Sequence, residues 1–169
     1  MGYRLDVITD SVPEAILYAG GLMFDRRRAG WQVVVFTDDV SHLRGLAILG
    51  IGAQSRCRLD DREHGDREVR AVASPIERLA TKRESPWETR IVWGWNAPAA
   101  STGVVQPVGH QLSAAARAFK EHALRCTGLR SAVEHCERFW VDDTFDTRLF
   151  VDLVARTDRP PRSAGRGGS

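Results

Sequence analysis

The sequence predicts an α/β fold, a three-layer, Rossmann-like sandwich around a mostly parallel sheet of about five strands. Three observations lead there. Two apolar runs, Val7-Ile8 and Val35-Phe36, end in the same pair, Thr9-Asp10 and Thr37-Asp38, 28 residues apart. The segment between them opens on Ser11-Val12-Pro13-Glu14, a capping box, and closes at Gly30, as a crossover helix does. Trp31 to Phe36 carries an unbroken Val-Val-Val-Phe core, the pattern of a central parallel strand covered on both faces.

Each element follows in order. Residues 5–9 read as a short buried strand interrupted only by Asp6. The first helix carries Ile16, Leu17, Gly20 and Phe24 at helical spacing and ends in Arg26-Arg27-Arg28, cations suited to a helix C-terminus. Gly20-Gly21 lowers its helix propensity, which close packing of helix against sheet would offset. After the strand at 31–36, a short turn through Leu43 leads to a third strand over Leu46–Gly52. Residues 53–73 read as a charged excursion, since 56–70 hold five arginines and five acids and few apolar residues. Ser74-Pro75-Ile76-Glu77 repeats the capping box and predicts a helix to about Arg83. Arg90–Trp95 reads as a strand, 96–109 as a loop, and Gln111–Cys126 as a long amphipathic helix stopped by Gly128. A short helical start from Ser131 passes into a strand at Arg138–Val141, and Leu149–Ala155 is the last strand. The expected organisation is one α/β domain over 1–155 and a flexible Arg/Pro/Gly tail over 156–169.

Composition bounds the function classes. A chain of 169 residues is long enough for one sizeable core. A formal charge of +2, from 24 basic and 22 acidic residues, gives no global field for nucleic acid. All but two of the basic residues, Lys82 and Lys120, are arginine, and they are interspersed with acids. Three cysteines without a CxxC pair suggest a reducing compartment. With neither an 18-residue apolar stretch nor a leader pattern visible, a cytoplasmic chain is the expectation.

The site expectation rests on the repeated Thr-Asp. In open α/β sheets ligands bind at the carboxyl ends of the strands. Asp10, Asp38 and Asp39 would converge there as catalytic and metal-holding carboxylates, gathering Mg²⁺ that carries phosphate oxygens. Ser11 and the first amides of the helix would touch phosphate, Trp93 and Trp95 would stack on the ligand, and Arg90 lies nearby. The reading is a small Mg²⁺-dependent protein that binds a nucleotide or phosphorylated metabolite. GxGxxG and GxxxxGKS are both absent, and catalysis is left open. The competing reading is a non-enzymatic adaptor, with a partner protein or a second copy of the chain as its ligand. Locally, Asp and Thr also end strands and cap helices by bonding nearby amides.

Three further groups compete for attention. Asp142, Asp143 and Asp146 follow another strand, and strand order decides whether they join the first cluster. His122, Cys126, His135 and Cys136 have the ingredients of a zinc site without finger or ribbon spacing. His110 is placed as a general base without an identified partner.

Overall fold

The computed structural model describes residues 2–59, 68–80, 88–94, 105–143, 145–146, 150 and 152–155. Within them one sheet of eight strands runs in the order β3-β2-β1-β4-β5-β7-β6-β8. The strands are β1 (Gly2–Ile8), β2 (Gln32–Phe36), β3 (Gly52–Gln54), β4 (Glu68–Pro75), β5 (Thr89–Trp93), β6 (Val105–Gln111), β7 (Cys136–Asp142) and β8 (Leu153–Ala155). The first five are mutually parallel, with Val7 level with Val35 and Ala73, and Ala73 level with Ile91. The last three pair antiparallel, β7 joining β5 to β6. The expected α/β architecture with a mostly parallel sheet is present, and a three-strand antiparallel wing extends it.

The helices are α1 (Val12–Arg28), α2 (Leu43–Ile48) and α3 (Ala114–Cys126), and they pack on one another. Leu5 and Val7 of β1, Val33 and Val35 of β2 and Ile91 and Trp93 of β5 meet Ile16, Leu22, Leu46 and Leu124 in the main core. The alternate residues Ile8, Val34, Phe36 and Val72 form a second apolar cluster with Leu59. Both faces of the central strands are therefore apolar, as their unalternating sequences require. Asp6 is the buried exception, held by Arg4 Nε at 2.7 Å and Arg70 Nε at 3.7 Å.

Four elements differ from the sequence expectation. Val105–Gln111 is strand β6, paired with β7 and β8, where a loop and the start of the long helix were expected, so α3 begins only at Ala114. No helix begins at Ser131, and the chain reaches β7 at Cys136 without one. Leu46–Gly52 is not a strand: α2 ends at Ile48, Gly50 turns the chain at φ +72°, and only Gly52–Gln54 pairs with β2. A short apolar run does not distinguish helix from strand, and Leu46 and Leu49, one helical turn apart, are both buried. Ser74-Pro75 ends strand β4 and is followed by a 3₁₀ turn, Ile76–Ala80, where a helix was expected. Pairing with β1 on one side and β5 on the other outweighs the local capping signal. Strand β4 thereby absorbs the last residues of the expected excursion. Expectations for 60–67, Trp87, Trp95, 96–104 and 156–169 lie outside the described residues.

One long-range contact explains Gly21. The Glu137 carboxylate of β7 meets the middle of α1, where Oε1 accepts from the Gly21 amide at 2.7 Å and Oε2 from the Leu22 amide at 2.8 Å. A Cβ on Gly21 would lie 2.3 Å from Leu112 Cγ and 3.0 Å from Glu137 Oε1. The glycine is needed for close approach, to a side chain of β7 and to the chain entering α3.

Candidate functional site

The carboxyl edge of the parallel strands is built from two copies of one turn. The Thr9 hydroxyl accepts from the Ser11 amide at 3.1 Å, and the Thr37 hydroxyl accepts from the Asp39 amide at 3.1 Å. Each threonine bonds the amide two residues on, which turns the chain out of the sheet. The repeated Thr-Asp is thus first a repeated turn.

The aspartates then go separate ways. Asp39 Oδ2 accepts from the Val12 amide at 3.0 Å, closing the first turn of α1 from another loop. Its Oδ1 accepts from the Ser41 amide at 3.2 Å, and His42 Nδ1 lies 2.9 and 3.0 Å from the two oxygens. Burial pushes the Asp39 pKa up, but the Val12 amide, His42 and the Ser41 amide outweigh it and hold the carboxyl below its ordinary value. Asp38 Oδ1 accepts from the Ser55 hydroxyl at 3.0 Å and the Arg56 amide at 3.2 Å. Asp10 pairs with Arg56 Nη1 and is otherwise open to solvent. Ser11 Oγ accepts from the Glu14 amide at 3.3 Å, so this hydroxyl caps α1.

The tryptophan surface is not formed by Trp93. That side chain is fully buried, and its indole donates to Glu14 Oε1 at 3.2 Å. Glu14, placed by sequence in a local capping box, spends this oxygen across the fold on β5. Arg90 alternates to the opposite face of β5 and bonds Glu88 Oε1 at 3.1 Å. Trp93 and Arg90 therefore do not share a surface. Strand order also separates the second acidic cluster: β7 runs antiparallel and delivers Asp142 and Asp143 to the amino edge, away from Asp10. His122 and Cys126 are exposed, and His135 lies 2.9 Å from Arg117 Nη1. His110 is buried between Asp25 and Asp152.

What the carboxyl edge does offer is a cleft of about 420 Å³, whose walls include Ser11, Glu14, Leu17, Tyr18, Glu77 and Gly94. Tyr18 has its phenol pKa raised, by burial first and then by the charges of Glu14 and Glu77, so it stays protonated as a donor. The cleft combines a phenol, a hydroxyl and two carboxylates with the apolar side of Leu17. Sequence reading named Ser11 among these and missed the rest. Tyr18 and Glu14 are one helical turn apart in α1, a spacing visible in the sequence, whereas Glu77 and Gly94 arrive only through strand order.

No protein-family model matches the chain, and a search of curated proteins finds no match either. Solved structures do share its fold. The zinc-inhibited form of teicoplanin deacetylase Orf2 aligns at TM-score 0.53 and 11% identity, over 92% of this chain and 99% of that one. A triple mutant of the teicoplanin-pathway deacetylase gives 0.55 at 11% identity with the same coverage. The A40926 pseudoaglycone deacetylase Dbv21 gives 0.52 at 12% identity, over 82% and 96%.

These comparisons correct the expected chemistry. The three solved structures named are of deacetylases, which overturns the expectation of a magnesium-dependent nucleotide or phosphorylated-metabolite binder and that of a pure adaptor. The ion named with the fold is zinc, not Mg²⁺. The residues present do not fit zinc either: among the described residues no three His, Cys, Asp or Glu side chains gather as a metal site. The edge carboxylates already accept from amides, a hydroxyl, His42 and Arg56. Among the described residues no helix is long and apolar enough to cross a membrane. At identities of 11–12% the shared property is the fold, and the chain has the fold of these deacetylases.

Proposed function

We propose that the protein binds an acetylated, hydroxyl-rich small molecule in the cleft between the start of α1 and the end of β5. The observation that carries the reading is the cleft lining, where Glu14, Tyr18, Glu77 and Ser11 converge. Carboxylates accept hydrogen bonds from ligand hydroxyls, and a protonated phenol donates to a carbonyl such as that of an acetyl group. Leu17 gives the apolar methyl a dry contact. The deacetylases of the same fold supply the acetyl group as the chemistry to look for. Trp93 holds Glu14 in place from behind, which orients the carboxylate before a ligand arrives.

Calorimetric titration with acetylated and deacetylated forms of the A40926 pseudoaglycone, in the presence of a chelator, tests the reading. The acetylated compound is expected to bind, with Tyr18→Phe and Glu14→Gln each weakening it by about tenfold, the worth of one good hydrogen bond. Absence of binding, or binding indifferent to both substitutions, overturns the proposal. Release of acetate during the titration would replace binding with catalysis.

A further inference from the structure

The geometry points to Arg56 as the resident cation of the carboxyl edge, joining Asp10 through its guanidinium and Asp38 through its amide, so that these carboxylates are held without a divalent ion. The three carboxylates come from two loops that leave adjacent strands, and such a group needs positive charge nearby. Arg56 follows β3 on the 3₁₀ turn Arg56–Leu59, which brings it over the same edge. Its Nη1 pairs with Asp10 while its own amide donates to Asp38, so one residue joins carboxylates of both loops. Ser55 adds a hydroxyl to Asp38 from the preceding position. Asp39 is satisfied separately, by the first amide of α1 and by His42.

Burial first and then the charge of Arg78 draw the Arg56 pKa down from its ordinary value, so it is the contacts with Asp10 and Asp38, not that shift, that assign Arg56 its role. An arginine is a sound replacement for a metal ion in one respect: it stays charged at every physiological pH and presents donors in a fixed fork. It differs in another, since it lends no open coordination position. The edge therefore keeps its carboxylates ordered without metal. This sets the chain apart from the zinc behaviour named for a deacetylase of its fold.

Zinc uptake tests the inference without any organic ligand, so the result is independent of the cleft reading. Purified protein is dialysed against zinc chloride, and bound metal is counted by elemental analysis. Wild type and the Asp10→Asn/Asp38→Asn/Asp39→Asn variant are expected to take up the same amount. Asp10→Asn alone, at a solvent-exposed side chain, gives the same comparison should the triple variant fail to fold. Arg56→Gln leaves the carboxylates without their cation and is expected to raise zinc affinity by about tenfold, on the scale of one unbalanced nearby charge. Arg56→Lys keeps the charge and is expected to behave as wild type. The inference is overturned by an equivalent of zinc lost from wild type on Asp10→Asn, or by Arg56→Gln showing no gain.

Discussion

Glu137 does more for the fold than its setting in β7 suggests. It is buried, accepts from two amides in the middle of α1, and takes the Lys120 ammonium of α3 at 2.6 Å. One carboxylate thus joins a strand and two helices. Removing it strands a buried ammonium and two helix amides that have lost an acceptor, and breaking a buried pair on one side costs about 3–5 kcal/mol. Glu137→Ala is expected to lower the unfolding free energy by that amount in urea titration, and a loss below about 1 kcal/mol would show that α1 needs no such anchor. Nothing in Cys136-Glu137-Arg138 marks the residue from the sequence, because its partners lie 116 and 17 positions away. The same holds for the Glu14–Trp93 bond, 79 positions apart. Thr9 and Thr37, by contrast, act within two residues of themselves, and the repeat was legible for that reason. The sequence made their aspartates look alike, yet the loop each faces decides its role: Asp39 caps α1 and Asp10 meets Arg56.

At the scale of elements, the C-terminal end of α1 is fastened to the antiparallel wing by a charged strap. His110 of β6 has Nε2 at 3.0 Å from Asp25 of α1 and Nδ1 at 3.2 Å from Asp152, the latter a charge contact without the alignment of a hydrogen bond. Asp25 also takes the Ser113 hydroxyl at 2.6 Å and the Ser113 amide at 3.1 Å, at the cap of α3. Arg26 completes the strap, bonding Asp152 at 2.5 Å with its guanidinium over Trp31 and Phe150. Burial drives the His110 pKa down, but Asp152, Glu137 and Asp25 together carry it above 6.5. Lys120 and Arg26, bound to Glu137 and Asp152, are the cations behind those acids. A histidine whose folded pKa is raised gives stability that is complete below its unfolded value and lost as pH climbs through the folded one. Thermal midpoints are therefore expected to hold up to about pH 6.5 and to fall above it, with His110→Gln less stable below that pH and flatter above it. Equal slopes for the two proteins would remove His110 as the cause. Sequence reading placed His110 ahead of the long helix but could not supply Asp25 and Asp152, which come from other elements.

Over the whole molecule, what the sequence showed was the part whose pattern is local. Strand β1, helix α1 and strand β2 follow from one capping box and two apolar runs, and α3 from a single amphipathic stripe. Strand β4 was hidden because its Ser-Pro end imitates a helix start, and the antiparallel wing because pairing of β5 with β7 is not written in either strand. These differences also set how firmly each part is held. Strands β1, β2, β4 and β5 are each paired on both sides, and the apolar clusters cover both faces of the first three. Among the described residues strand β3 is a three-residue edge, exposed throughout, with a neighbour on one side only. Amides bonded in the interior of such a sheet open only with the global transition, while edge amides open locally at much lower cost. Hydrogen exchange should therefore find Val7, Val35, Ala73 and Ile91 in the slowest class and Ala53 orders of magnitude faster. The position of β3 gives that measurement a bearing on the edge chemistry, because Ser55 and Arg56 follow it directly and hold Asp38 and Asp10. If those pairs tie β3 down, Arg56→Gln will speed exchange at Ala53 and Gln54 and leave Val7 and Ile91 unchanged. Unchanged exchange at Ala53 in that variant would show that the Arg56 pairs follow the placement of β3 and do not cause it.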